Sequence, residues 1–155
     1  MKTRKEYKMR KRLSGLLLAL SLTSVIACAD NNKITKDASV LPTASRQFLT
    51  EHFAETPIAH IQIEKDFIRV DNYDVILTDG TSVEFDRSGG WKEVNRHNNT
   101  IPEAIIPEAI RNYLRSNHPN ARVVVIDKDS RDCEVKLDNG MELTFDLRGN
   151  LIEID

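Results

Sequence analysis

Residues 75–95, VILTDGTSVEFDRSGGWKEVN, align without a gap on residues 135–155, VKLDNGMELTFDLRGNLIEID. Val75, Leu77, Gly80, Phe85, Asp86, Gly89 and Glu93 meet Val135, Leu137, Gly140, Phe145, Asp146, Gly149 and Glu153. Upstream, LPTASRQFLTEHF (41–53) matches IPEAIRNYLRSNH (106–118) at an offset of 65 instead of 60. One helix-then-strands unit is therefore duplicated, and a repeat of this length sets the architecture before any local reading does.

Within each copy the local signals agree. Pro42 and Pro107 sit at helix starts, where a missing N–H costs nothing. Ala44, Phe48, Leu49 and Phe53 form one apolar stripe; Ala109, Ile110, Tyr113 and Leu114 form the other. Pro119 stops the second helix near His118. Segments 58–64 and 122–127 read as first strands, followed by 73–78, 81–86 and 91–94 in one copy and 132–138, 141–146 and 150–154 in the other. Asp79-Gly80 and Asn139-Gly140 are the pairs that a two-residue type I′ hairpin turn prefers. Val75, Leu77, Val83 and Phe85 alternate with Asp74, Ile76, Ser82 and Glu84, so one face is core and the other wet. The same holds for Val135, Leu137, Leu143 and Phe145 against Glu134, Lys136, Glu142 and Thr144. The expectation is an α+β fold of tandem α-β4 repeats (41–95 and 106–155), forming one antiparallel sheet of about eight strands with two helices on one face.

The front of the chain reads as an address. A basic run from Lys2 to Arg12 precedes an apolar stretch from Leu13 to Ala27, too short for a spanning helix. Val25-Ile26-Ala27-Cys28 looks like the lipobox of bacterial lipoproteins, which implies removal of 1–27, a lipidated Cys28 and membrane anchoring by several acyl chains. Met9 is an alternative start. Residues 28–40 then read as the lipidated Cys and a flexible tether, 29–40, of about 12 residues reaching at most ~40 Å. The signal carries seven of 22 basic and one of 24 acidic residues, leaving 15 basic against 23 acidic, net −8. Such a chain lacks the basic patches that neutralise phosphates, which excludes nucleic acid as a partner.

With these pieces placed, residues 41–155 resemble the PepSY-like proteins of Bacteroides-type bacteria, whose fold is like that of the beta-lactamase inhibitor protein. The resemblance rests on Leu41-Pro42, Ile106-Pro107, Asn117-His118-Pro119 and the paired patterns V-x-L-x-[DN]-G and F-D-x-x-G. It implies a small secreted or lipid-anchored protein that binds or inhibits another envelope protein through the bare face of its sheet.

Catalytic and metal chemistry find little support in the residues. His52, His60, His97 and His118 are scattered, without the short spacing of a metal site. Asp127–Asp132 has acids at calcium-loop intervals but lacks the sixth-place glycine and the closing glutamate, so it reads as a hairpin tip. Cys133 falls on a core-facing position and reads as a small buried apolar residue. No G-x-S-x-G elbow occurs, and the alternate acids Glu84 with Asp86 and Glu142 with Asp146 read as a wet strand face. We therefore expect no enzyme, no cofactor, no metal and a monomer. The candidate binding residues are Ile76, Glu84, Lys136 and Glu142 on the wet face, with Trp91, otherwise a core residue, as an interface anchor. Two other readings stay open: a sensor of a small ligand, peptide or ion, and a structural envelope protein.

Overall fold

In the computed structural model the described residues are 33–66, 69–97 and 99–155. The signal segment 1–27, Cys28 and residues 29–32 lie outside them. The chain runs β1 (Lys33–Thr35), α1 (Thr43–Phe53), β2 (Ile58–Asp66), β3 (Arg69–Leu77), β4 (Ser82–Asp86) and β5 (Trp91–Asn95). It continues through α2 (Glu108–Asn117), β6 (Val123–Lys128), β7 (Asp132–Leu137), β8 (Glu142–Asp146) and β9 (Leu151–Ile154). Short 3-10 turns at Ala38–Val40 and Glu103–Ile105 lead into the helices. The nine strands form one antiparallel sheet in sequence order. Glu93, Val94 and Asn95 pair with Asp127, Ile126 and Val125, which joins the two copies into a single sheet.

The fold class is the expected one, with three corrections. Residues 33–40, read as tether, include a ninth strand and a helical turn; Lys33, Ile34 and Thr35 pair with Ile63, Gln62 and Ile61 at the sheet edge. A three-residue polar strand has too few side chains for its alternation to show. The hairpin turns are also not type I′. Leu77 N–H donates to Thr81 O, and Gly80 N–H donates to Leu77 O, so three residues lie between the closing pair. Leu137, Gly140 and Met141 repeat this arrangement. A type I turn followed by a left-handed glycine gives that pattern, with φ +84° at Gly80 and +90° at Gly140. Asp79 and Asn139 cap their turns by accepting the N–H of Thr81 and Met141. Third, α1 buries Ser45 rather than Ala44, together with Leu49 and Phe53.

The helices lie on the face that the alternation marks as core. Phe48 meets Phe85 edge-on at 5.6 Å, and its repeat counterpart Tyr113 meets Phe145 the same way at 5.3 Å. Phe85 and Phe145 are both fully buried. The β4–β5 and β8–β9 turns dock against the helix starts: a Cβ added to Gly89 would lie 2.7 Å from Pro42 Cβ, and one on Gly149 would lie 2.3 Å from Ala109 Cβ. Glycine is required there twice over, by backbone sign and by space. Cys133 is buried, and burial, reinforced by Asp127, pushes its thiol up to about 12. That thiol is not a nucleophile at physiological pH.

Candidate functional site: the open face of the sheet

With both helices on one side, the polar side chains of nine strands share the other. The strand register sets them in rows that cross the sheet. In one row Gln62, Asp74, Glu84, Glu93, Asp127, Glu134, Thr144 and Glu153 stand opposite one another strand by strand. Neighbours in such a row are about 4.8 Å apart, so six carboxylates span the sheet as a belt. The adjoining row reads His60, Ile76, Ser82, Asn95, Val125, Lys136 and Glu142.

Four expected site residues therefore come together on one face. Ile76, Lys136 and Glu142 share a row, Ile76 and Lys136 four strands apart or about 19 Å, and Glu84 lies in the belt beside them. Lys136 Nζ donates to Glu142 Oε1 at 3.0 Å. Trp91 does not join them. Phe85 pairs with Trp91 after a register shift at Glu84, which turns the indole to the helix side and leaves Lys92 as the extra residue of the bulge. There Trp91 packs near Phe48, and the Lys128 ammonium sits 3.8 Å above its ring. Lys92 instead reaches the open face and gives its ammonium to Glu84.

Asp74 and Asn72 were missed, because an acid and an amide at alternate positions look like any solvated strand face. Only the cross-strand stacking singles them out. Asp74 is pushed up to about 6, first by burial and then by Glu64, Glu84 and Glu93, with Lys92 opposing. Asn72 is 8% exposed, its Nδ2 donates to Asp74 Oδ1 at 3.5 Å, and its Oδ1 has no hydrogen-bond partner. An open depression nearby is lined by His60, Gln62, Asp74, Ile76, Ser82, Val83, Glu84 and Glu93. By contrast Asp146, in a turn, is held below the usual carboxylate range by the side chain and backbone N–H of Asn150. Asp129 is likewise tied into its hairpin tip by the N–H groups of Arg131 and Asp132. Among the described residues no group of three or more His, Cys, Asp or Glu side chains is arranged to hold a metal ion.

The perturbed carboxyl has a measurable consequence. Folding raises the Asp74 pKa from 3.8 toward about 6, so the folded state holds its proton more tightly and stability falls as pH rises through that window. Asp74→Asn removes the penalty. The variant should be more stable at pH 7.5 by about 1 kcal/mol, discounted for the solvent on one side of the group, and no more stable at pH 3.5. Urea midpoints at the two pH values check both signs.

Fold and face together define an α+β module with one covered and one open, acidic sheet surface. A sequence model described as "Putative beta-lactamase-inhibitor-like, PepSY-like" matches residues 71–153. A crystal structure titled a "putative calcium-regulated periplasmic protein" from Bacteroides thetaiotaomicron is 43% identical, covers 82% of this chain and 98% of its own, and superposes with a TM-score of 0.77. Two crystal structures from Bacteroides vulgatus, each titled a "putative periplasmic protein", are 39% and 35% identical over 82% and 80% of this chain and 98% of their own, with TM-scores of 0.76. A comparison with curated proteins returns no match. The chain belongs to the PepSY-like, beta-lactamase-inhibitor-like family, and its structural relatives are described as periplasmic.

Proposed function

We propose that this is a non-enzymatic protein of the bacterial envelope, anchored by lipid on Cys28, that binds and inhibits another envelope protein with the open face of its sheet. The observation that carries the reading is the one-sided covering of a nine-strand sheet, which leaves a broad, ordered, charged surface facing outward. The inhibitor-like family and the periplasmic relatives support it. The buried, poorly ionising Cys133 supports a role without covalent chemistry.

Exchanging the polarity of one pair tests the surface without breaking it. Lys136→Glu with Glu142→Lys keeps the ion pair but inverts the charge pattern presented outward. Combined with Ile76→Glu, it should lower capture of a partner from envelope extracts at least about tenfold, a loss of about 1.4 kcal/mol. Unchanged capture would count against the open face. Cys28→Ser should release the protein from membranes into the soluble fraction.

A second reading is an ion sensor, favoured by the calcium-regulated description of the 43% identical relative. A calcium-dependent rise in melting temperature, abolished by chelation, would support it.

A further inference from the structure

We propose that the depression over β3, β4 and β5 is the seat for one Lys or Arg side chain of the partner protein, with Asp74 as its principal carboxylate. This rests on the open-face reading above and specifies the chemistry of the contact. The depression has an apolar part, the Ile76 side chain, and an acidic part, Asp74, Glu84 and Glu93. A long cationic side chain has matching halves, a methylene stem and a charged head.

Two amide oxygens on this face lack a donor among the described residues. Asn72, nine-tenths buried on the same face, turns its amide to Asp74 and leaves its oxygen unpaired. The Asn95 Oδ1, in the neighbouring row, is also buried without a partner. Lys92 is held by Glu84. A guanidinium brings five N–H donors and an ammonium three, with no acceptor on either. Charge-assisted bonds to a partly desolvated carboxylate are stronger than those made in open water.

Comparison of the two copies points the same way. Lys136 stands at the position matching Ile76, and Glu142 at the position matching Ser82, so the second copy places an ammonium of its own on this part of its face. The first copy has isoleucine and serine instead, beside a carboxylate that burial and its neighbours make costly to ionise. A cation from another molecule would relieve that cost.

The test uses the purified, isotope-labelled protein and blocked tripeptides Gly-Arg-Gly, Gly-Lys-Gly and Gly-Gln-Gly, followed by amide NMR shifts. The Arg and Lys peptides should give saturable shifts confined to β3–β5 around Asp74, Ser82 and Glu93, and the Gln peptide none. Affinity should fall at least fivefold in Asp74→Asn, a variant expected to be more stable than the parent. It should stay unchanged in Glu51→Gln, on the exposed side of α1. Lowering the pH from 7 to 5 should weaken binding. Protonation of Asp74 removes the attraction, and His60 stands at the rim. The other charged groups facing Asp74, namely Glu64, Glu84, Lys92 and Glu93, are probed by matching shifts.

Shifts spread over all exposed acids without saturation would overturn the seat, as would affinity unaltered in Asp74→Asn. Saturation of the same amides by calcium chloride alone, with no peptide effect, would overturn it in favour of a metal. If partner capture is lost on the Lys136/Glu142 exchange but kept in Asp74→Asn, the open face stands and the seat falls. If neither change affects capture, the open-face reading falls and the peptide titration judges the seat separately.

Discussion

Phe145→Ala should cost about 3–5 kcal/mol of stability, the usual range for deleting a buried phenylalanine ring. Phe145 is fully buried, pairs across the sheet with Cys133 and Leu151, and receives the edge of Tyr113 from α2. Removing a fully enclosed ring leaves a cavity, whose cost adds to the lost transfer energy. The loss is a large share of the 5–15 kcal/mol that holds an ordinary domain together. Phe85→Ala, its counterpart under α1, should cost a similar amount. Because β5 pairs with β6, damage in the second copy should be felt by the first. Urea unfolding of Phe145→Ala, followed by Trp91 fluorescence and by circular dichroism, should give one coincident transition at a lower midpoint. If the first copy, which carries Trp91, unfolded at its original midpoint, the sheet would not be one cooperative unit.

Gly149→Ala should be the second most damaging single change, and its size is set by comparison with Gly140→Ala. Both glycines have left-handed backbones, φ +83° and +90°. That strain alone costs an alanine about 1–2 kcal/mol. Around Gly140 nothing lies within 4 Å of the added methyl, whereas at Gly149 it would meet Ala109 Cβ at 2.3 Å. The turn and the start of α2 must then separate, and overpacking of this kind adds about 1–3 kcal/mol. Gly149→Ala should therefore lower the urea midpoint about twice as far as Gly140→Ala. Removing the methyl at position 109 should recover part of the difference, so Gly149→Ala/Ala109→Gly should be more stable than Gly149→Ala alone. Equal effects of the two glycine changes would mean that the turn does not press on the helix.

These residues also show how far the sequence could be read. The matched glycines, prolines and core apolars revealed the duplication, the two helices and the inner faces of β3, β4, β7 and β8, because each position has one dominant physical requirement. The turn type was misjudged since Asp-Gly and Asn-Gly suit both a two-residue I′ turn and a three-residue turn with a left-handed glycine. The strand pattern is one residue apart between them, and only the hydrogen bonds decide. The bulge after Glu84 left no mark in the alternation, yet it sends Lys92 to the open face and Trp91 to the other. Asp74 and Asn72 needed the register of β2 to β5, which no single strand encodes. Ile76 against Lys136 was visible as a mismatch between copies, and the structure places that mismatch in one row of the exposed face.

The difference between the copies thus gains a physical content. The shared residues build a scaffold, and the unshared ones set a charge pattern on the surface that the scaffold leaves open. With 15 basic against 23 acidic residues, net −8, residues 28–155 would attract a basic partner at long range before any close contact forms.

The most direct measurement is photo-cross-linking in intact cells with a photoreactive phenylalanine placed at Ile76 or Lys136 on the open face, and at Glu51 or Arg115 on the exposed sides of the helices. The account predicts one discrete cross-linked partner from positions 76 and 136 and none from 51 and 115. The same adduct from the helix positions, with none from the sheet, would contradict it.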